Sequence, residues 1–344
     1  MHARALIRCD ASPSIGFGHL VRCLALAETL RQGSDCELQF LLRPDPAAET
    51  LISKQGFTYH QLRATTSTAY QEAILTLHAA RPFSLFIGDV RDGLPPRAIL
   101  ALKKLGVLTV AIDEPSDYRL MVDLVFYPPI PQVKTMNWQG FSGKIFAGWE
   151  YVILRREYAA HLYPSYEQRA PQQLLVSCGA SDPAQMTVAI VRALQKITAL
   201  PPVTVLLGPA AHSGEELRAL LQGDERFTCI EGASSLAPLL CHTRLGIVSF
   251  GVTAYECAAL AVPAIHYSLS PDHLLSAGVF SREGMAKNLG LFADFEPSRL
   301  RTTVEELLAS PQLLLHMAKA CRVIPGNSLQ LIAETILSAL PRLR

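Results

Sequence analysis

Short apolar runs alternate with longer amphipathic segments along the whole chain. In the first half, the apolar runs predict strands at Ala3–Cys9, Glu37–Leu42, Leu85–Gly88, Leu108–Ile112 and Leu124–Tyr127. In the second half, they predict strands at Gln173–Cys178, Pro202–Leu207, Phe227–Ile230, Leu245–Val248 and Ala264–His266. This alternation is typical of parallel strands joined by helices, and it predicts two successive doubly wound α/β sheets, each a Rossmann-like domain.

Helical spacing of apolar residues fills the segments between these strands. Leu20, Leu24, Ala27 and Leu30 predict a helix over His19–Gln32. Further helices are predicted at Pro183–Lys196, Glu215–Gln222, Leu236–Cys241, Thr253–Ala261 and Arg299–Leu308.

The expected domain organisation follows from these elements and from one polar segment. Residues 163–172 contain two prolines and are predicted to link a first domain at 1–162 to a second at 173–325, with a terminal helix at 326–344. Ligands of such folds bind beyond the carboxyl ends of parallel strands. We therefore expect an interdomain cleft, with the chemistry in the loops that follow strands.

Composition narrows the class of protein. The 344 residues carry 31 Lys+Arg against 30 Asp+Glu, a formal net charge of +1, which argues against a nucleic-acid binder. A content of 49% hydrophobic and 18% charged residues excludes a mostly disordered chain. The eight cysteines show no metal-site spacing and indicate buried thiols, so no metal or cofactor is predicted.

With neither a signal peptide nor a membrane span evident, we expect a soluble cytoplasmic protein.

The first chemistry-bearing loop runs from Arg8 to Arg22, between a strand and a helix. Gly16 and Gly18 allow close approach of a ligand to the backbone. The positive end of the helix dipole near His19 favours a neutral imidazole that can accept a proton. The alternative is a simple glycine turn with His19 as a solvated residue. The loop has neither the third glycine of a dinucleotide fingerprint nor the Gly-Lys-Ser/Thr of a P-loop.

Two further loops open helices in the second half. In Ser177–Pro183, Asp182 is predicted as an N-cap with Pro183 at the first helical position, while Gly179 leaves room for a pyrophosphate. In the third loop, Thr253 and Glu256 have the spacing of a capping box. Alternatively, Glu256 holds the hydroxyls of a ribose, and the groups of Gly251 and Thr253 face phosphates.

Taken together, these loops resemble the UDP-sugar hydrolases of pseudaminic acid biosynthesis, which are related to spore-coat polysaccharide proteins and MurG-type glycosyltransferases. The matching segments are Arg8-x-Asp10, Ile15-Gly16-Phe17-Gly18-His19-x-x-Arg22-Cys23-Leu24-x-Leu26-Ala27, Gly148-x-x-Tyr151-x-x-Leu154-Arg155-x-Glu157-Tyr158, Gly179-Ala180-Ser181-Asp182-Pro183 and Ser249-x-Gly251-x-Thr253-x-x-Glu256.

The resemblance implies a GT-B fold in which the second domain holds UDP and the sugar faces the first. It implies that His19 is a catalytic base that activates water without a metal, and that Ile230-Glu231-Gly232-Ala233 lies at the uracil ring. The residues it places in substrate and nucleotide binding are Asp10, Gly16, Gly18, Gly179, Ser181, Asp182, Ile230, Ser249, Gly251, Thr253 and Glu256.

The chain departs from the family pattern mainly on the sugar side. Arg91 stands where the family commonly has an aromatic hydroxyl, Pro128 where it often has asparagine, and Asp272-His273 where it has an asparagine–glutamine pair. Ahead of the last helix, Pro325-Gly326 replaces an Asp-Gly pair. Arg91 is either a solvated cation or a partner for a carboxylate or phosphate. His273 is either a surface residue or a second acid–base group.

Three functions are compatible with these features. The first is a hydrolase that releases UDP and a free diacetamido-trideoxyhexose for nonulosonic acid synthesis. The second is a GT-B glycosyltransferase in which His19 deprotonates an acceptor hydroxyl. The third is a nucleotide-sugar-binding protein without catalysis.

Overall fold

The computed structural model describes residues 3–12, 15–159, 162–169, 172–208, 210–233 and 235–340. The chain divides into two compact units: unit 1 is Met1–Arg155 with Asn327–Arg344, and unit 2 is Arg156–Gly326. Unit 2 therefore includes the described residues of the predicted linker. Pro13 and Ser14 of the first glycine loop, Ala170 and Pro171 of the linker, and 341–344 of the terminal segment lie outside the described residues.

Unit 1 is built on a parallel sheet. Its strands are β1 (Arg4–Cys9), β2 (Glu37–Leu42), β3 (Thr58–Gln61), β4 (Leu85–Asp89), β5 (Leu108–Ile112), β6 (Leu124–Tyr127) and β7 (Lys144–Ala147). Its helices are α1 (Gly18–Gly33), α2 (Pro46–Lys54), α3 (Ser67–Ala80), α4 (Pro96–Lys104) and, from the end of the chain, α13 (Ser328–Ala339). The strand order is β3-β2-β1-β4-β5-β6-β7.

Unit 2 repeats the same plan. Its strands are β8 (Gln173–Ser177), β9 (Val203–Leu207), β10 (Phe227–Glu231), β11 (Thr243–Ser249), β12 (Ala264–Ser268) and β13 (Ala286–Leu291), in the order β10-β9-β8-β11-β12-β13. Its helices are α5 (Tyr166–Arg169), α6 (Met186–Leu194), α7 (Gly214–Leu221), α8 (Ala237–Cys241), α9 (Val252–Ala259), α10 (Pro271–Arg282), α11 (Pro297–Ala309) and α12 (Pro311–Ala320).

The predicted fold class, two Rossmann-like α/β halves, is confirmed. The central strands β1, β4, β5 and β6 are buried nearly throughout, because helices cover both faces of a parallel sheet and each strand becomes a continuous apolar run. The terminal helix α13 packs into the core of unit 1, with Leu329, Ile332 and Ile336 buried against α1 and the sheet.

The strand order of each sheet reverses at one point, between β1 and β4 in unit 1 and between β8 and β11 in unit 2. Ligands of doubly wound sheets bind outside the carboxyl ends of the strands at this switch point. In unit 1 this places the residues after Cys9 beside Asp89, and in unit 2 the residues after Ser177 beside Ser249. Among the described residues, no helix is both long and apolar enough to cross a membrane.

Candidate functional site

The switch point of unit 1 brings His19 onto a buried carboxylate. His19 Nδ1 on α1 lies 2.6 Å from Asp89 Oδ1 at the end of β4. An ionised carboxylate only accepts hydrogen bonds, so Nδ1 carries the hydrogen and Nε2 keeps its lone pair. The His19 side chain is 22% exposed and that of Asp89 is 0% exposed. The 2.6 Å contact of Nδ1 with Asp89 is shorter than its 3.1 Å contact with Arg22 Nη2, so the geometry favours the tautomer in which Nε2 can accept a proton.

Arg22, one turn further along α1, binds the same carboxylate with two donors. Its Nε lies 2.5 Å from Asp89 Oδ2 and its Nη2 lies 2.5 Å from Oδ1. Burial alone would raise the pKa of Asp89, but the charges of Arg22 and His19 and their hydrogen bonds outweigh it and hold that pKa well below its usual range. Asp89 is therefore ionised and orients both side chains.

A second pair of carboxylates follows β5, the strand next to β4. Asp113 Oδ2 accepts a hydrogen bond from Arg91 Nη2 at 3.0 Å and one from Arg22 Nη1 at 3.3 Å. Glu114 Oε2 lies 4.0 Å from Arg91 Nη1. Burial raises the pKa of Glu114, against the opposing effects of Ser116 and Arg91. Arg91 is thus an ion-paired member of the His19 network, and its side chain is still 38% exposed to solvent.

The carboxylate of Asp10 binds groups of the protein itself. Both its oxygens accept from the buried guanidinium of Arg8 at 2.6 Å, and Oδ1 also accepts from the backbone N–H of Arg43 at 2.8 Å. Arg8 further binds Asp92 and the hydroxyl of Tyr70. These contacts fix the loop after β1. The structure thus gives Asp10 a bracing role, and its predicted contact with substrate stays a prediction.

The glycines of the first loop turn the chain into α1. Gly16 has φ +81°, in the left-handed region, and its backbone exchanges hydrogen bonds with that of Ser12. Gly18 is the first residue of α1, and Phe17 at the N-cap position gives it no side-chain cap. Among the described residues, nothing accepts from the first amides of the helix, which leaves donors beside the ring of His19.

In unit 2, α6 begins at Met186, so the predicted start of this helix at Pro183 was wrong. Asp182 still caps it: Oδ1 accepts from the amide of Met186 at 2.8 Å and Oδ2 from that of Thr187 at 3.0 Å. This buried carboxylate occupies the anion position that a pyrophosphate would take at this helix.

The loop ahead of α6 is shaped by close backbone packing. Gly179 has φ +87°, and Ser181 is half-buried beside it. A Cβ on Gly208, after β9, would lie 2.3 Å from the carbonyl oxygen of Ala180, so only glycine fits there. The amide of Ala210 donates to that same oxygen at 2.9 Å. The loop is therefore braced by the segment that follows β9.

Helix α9 differs from α6 because its N-terminus is open. It begins at Val252, Gly251 occupies the N-cap position, and no side chain caps it. Thr253 lies inside the first turn, so the predicted capping box of Thr253 and Glu256 was wrong. Glu256 is buried, and Ser249 ends the preceding strand at the switch point. Neither a positive φ nor a close neighbour requires glycine at Gly251.

A cavity of about 470 Å³ lies at the carboxyl ends of β9 and β10. Its lining includes Gly208, His212, Arg218, Glu231 and Gly232. Ile230 precedes this lining on β10 and is half-buried. The cavity therefore lies at the segment that the resemblance places at the uracil ring.

The predicted sugar-side residues of unit 2 lie at the start of α10. Ser270 caps this helix by accepting from the amide of His273 at 3.2 Å, and Asp272 and His273 are exposed in its first turn. The ring of His273 is centred 6.1 Å from that of Phe250, in the loop before α9. His273 thus lies close to the loop that leads into α9. Pro128 is in unit 1, directly after β6.

Sequence reasoning did not assign Asp89, Arg22, Asp113 or Glu114 to the site. A signal was present, since two acidic segments directly follow buried strands that the sequence predicts, and the ends of neighbouring parallel strands lie at one edge of the sheet. Side-chain pairing across that edge only became visible in the structure.

Comparison with known proteins agrees with this architecture. The chain is 22% identical over 320 residues to the spore coat polysaccharide biosynthesis protein SpsG of Bacillus subtilis, covering 92% of each protein. MurG of Acinetobacter baumannii matches with a TM-score of 0.72 at 17% identity, over 97% of this chain and 99% of that one. The fold is GT-B.

Another solved structure with this fold is that of the UDP-GlcNAc 2-epimerase from Neisseria meningitidis bound to UDP-GlcNAc. It matches with a TM-score of 0.65 at 12% identity, over 97% of this chain and 100% of that one. No family model matches the sequence.

Proposed function

We propose that the protein hydrolyses a UDP-activated sugar, with unit 2 holding the nucleotide and His19 of unit 1 activating the attacking water. The observation that carries this proposal is the 2.6 Å contact between His19 Nδ1 and Asp89. It leaves Nε2 as a base of fixed orientation, and the buried carboxylate stabilises the imidazolium that forms when Nε2 takes a proton.

In the proposed reaction, Nε2 of His19 removes a proton from water as the water oxygen bonds to the anomeric carbon of the sugar. The bond between that carbon and the diphosphate oxygen breaks, and UDP leaves with the electron pair. General base catalysis of this kind typically contributes about 10²–10⁴-fold in rate. The products are UDP and the free sugar.

We assign the diphosphate to the open N-terminus of α9. The amides of Val252 and Thr253 have no hydrogen-bond partner among the described residues, and the helix dipole favours negative charge there. A leaving group stabilised by backbone donors does not require a metal ion. We therefore expect turnover to persist in EDTA, and a full loss of activity that Mg²⁺ restores would contradict this part of the proposal.

The sugar and the cellular setting rest on the resemblance and the relatives. The motifs favour a diacetamido-trideoxyhexose destined for nonulosonic acid synthesis, and SpsG is itself named for polysaccharide biosynthesis. The Neisseria epimerase with the same fold holds UDP-GlcNAc. The eight cysteines all carry free thiols, which favours a reducing compartment such as the cytoplasm.

A glycosyltransferase is the second candidate, favoured by the similarity of the fold to MurG. The same Nε2 would then deprotonate an acceptor hydroxyl in place of water. The deciding experiment incubates the protein with a panel of UDP-sugars and no acceptor, and measures UDP and free sugar together. Equal release of both supports the hydrolase, release that requires an added acceptor supports the transferase, and binding without turnover contradicts both.

The role of His19 is tested by His19→Ala, which we expect to lower kcat by about 10²–10⁴-fold. His60→Ala is a matched control, because His60 contacts Gln39 on the neighbouring strand and lies outside the network of His19. Full turnover by His19→Ala would overturn the assignment of the base.

A further inference from the structure

The two guanidinium groups beside His19 share one carboxylate. Asp113 Oδ2 accepts from Arg91 at 3.0 Å and from Arg22 at 3.3 Å. Arg22 also binds Asp89, and Arg91 faces Glu114 at 4.0 Å. Each guanidinium therefore has two carboxylates of the protein itself around it.

Hydrogen bonds of the backbone hold the segment that carries Asp113 and Glu114. Asp113 has φ +51°, a left-handed conformation that aspartate tolerates better than most residues, and its amide donates to the carbonyl of Phe126 at 2.8 Å. Glu114 is 2% exposed, and its Oε1 accepts from the amide of Ser116 at 2.5 Å. The backbone thus positions Asp113 at Arg91 and Arg22, and the bond to Ser116 holds the carboxylate of Glu114.

The charge balance of the group disfavours a further carboxylate beside Arg91. Asp89, Asp113 and Glu114 oppose Arg22 and Arg91, so the sum is −1 with Glu114 ionised and zero with Glu114 protonated. A further carboxylate near Arg91 would lie beside Asp113 and Glu114 as well. Like charges a few ångströms apart in a partly buried site repel one another, and the ion pair already formed would have to be broken.

Resting on the proposed function, we infer that Asp113 is a specificity-determining residue that restricts the site to sugars without an acidic group. By holding Arg91 and Arg22, it prevents either from pairing with the carboxylate of a hexuronate. Arg91 is then left to donate hydrogen bonds to neutral oxygens such as hydroxyl or acetamido groups.

The test compares UDP-glucose with UDP-glucuronate, which differ only in the oxidation of C6. Calorimetry on the wild-type protein is expected to show UDP-glucose binding at least about tenfold more tightly. In Asp113→Asn, the affinity for UDP-glucuronate relative to UDP-glucose should rise about tenfold. The substitution removes the carboxylate that holds Arg91 and hardly changes the side-chain volume. Asp113→Glu keeps the charge and should keep the ratio. In the double variant Arg91→Gln/Asp113→Asn, the gain for UDP-glucuronate should vanish.

The outcomes separate this inference from the function on which it rests. The inference is overturned if the wild type binds UDP-glucuronate as tightly as UDP-glucose, or more tightly. In that case the proposed function still stands, because the protein binds UDP. An unchanged ratio in a folded Asp113→Asn protein overturns it too. Absence of any UDP binding overturns both. The wild-type ratio needs no variant, so the test holds even where Asp113→Asn does not fold.

Discussion

Units 1 and 2 repeat one topology but carry different chemistry at their switch points. In unit 1, the ends of β4 and β5 carry charged side chains that form close pairs around His19. In unit 2, the ends of β8 and β11 lead into backbone amides and glycines, and the most buried titratable ring nearby, that of His266, has no hydrogen-bond partner among the described residues. We therefore propose that one fold supplies acid–base chemistry through side chains in unit 1 and anion binding through backbone amides in unit 2.

A similar contrast exists within unit 2, where a carboxylate binds the first amides of α6 and no side chain caps α9. Asp182 fills the N-terminus of α6, whereas that of α9 is open. With a net charge of only +1, no general positive field attracts a diphosphate. In the proposed function, local amides and a helix dipole bind the diphosphate, and the uncapped start of α9 offers both.

The largest expected effect comes from Asp89→Asn, which removes the carboxylate that orients His19. We expect kcat to fall by about 10²–10⁴-fold, as in His19→Ala, because the wrong tautomer of the imidazole becomes available. UDP release assays measure this loss. Asp92→Asn is the matched control, since it removes a carboxylate from the other buried arginine, Arg8, without touching His19. A similar fall of kcat in both variants would contradict the assignment.

The next effect concerns acid stability and sharpens the contrast between the units. Burial lowers the pKa of His266 to about 3, below its value in the unfolded chain. Above about pH 6.5, His266 is neutral in both the folded and the unfolded chain and costs no stability. As the pH falls from there toward 3, protonation of the unfolded chain lowers the free energy of unfolding by about 1.4 kcal/mol per pH unit. Asp89, with its pKa held low, stays ionised through this window.

In His266→Leu, the free energy of unfolding should therefore fall less on acidification than in the wild type. Denaturant unfolding at pH 7 and at pH 4.5 measures this difference. His242→Leu serves as a control, because His242 is exposed in the folded protein. An identical loss of stability on acidification in wild type and His266→Leu would refute the role of the buried ring.

Asp182→Ala tests whether Asp182 acts as a cap. Loss of two hydrogen bonds at the start of α6 should lower the free energy of unfolding by about 1–2 kcal/mol. Asp45→Ala is a matched change, because Asp45 caps α2 of unit 1 through one hydrogen bond to Ala48. Chemical denaturation measures both. If Asp182→Ala leaves stability intact but abolishes UDP binding, the open and filled helix ends have been assigned the wrong way round.

The smallest effect is expected for Gly251→Ala. Its φ of 170° suits any residue and a Cβ there meets no atom within 4 Å, so the free energy of unfolding should change by less than about 0.5 kcal/mol. The added methyl group would lie where the diphosphate approaches α9, so UDP affinity should fall about tenfold. Calorimetric titration with UDP checks this. Undiminished affinity would remove α9 from the proposed nucleotide site.

Much of the fold could be predicted from apolar runs, because central strands of parallel sheets are buried on both faces. The edge strands β3, β7 and β13 were missed, since they are short or mix polar and apolar residues, as in the exposed Thr58 and Gln61. Helices α2, α3, α4, α10 and α12 were not predicted either. In each of these helices only two to four residues are buried, so the apolar stripe that the core imposes on the sequence is short.

The sequence by itself determined the two α/β halves, the glycine turn ahead of α1 and the position of His19 at a helix start, because local spacing and backbone geometry control these features. The tertiary structure alone decided which charges meet. It placed Asp89 against His19, tied Arg91 to Asp113, turned Asp10 and Asp182 inward, and left α9 open. Such pairings join residues up to 91 positions apart, and only the packing of neighbouring strand ends brings them within hydrogen-bond distance.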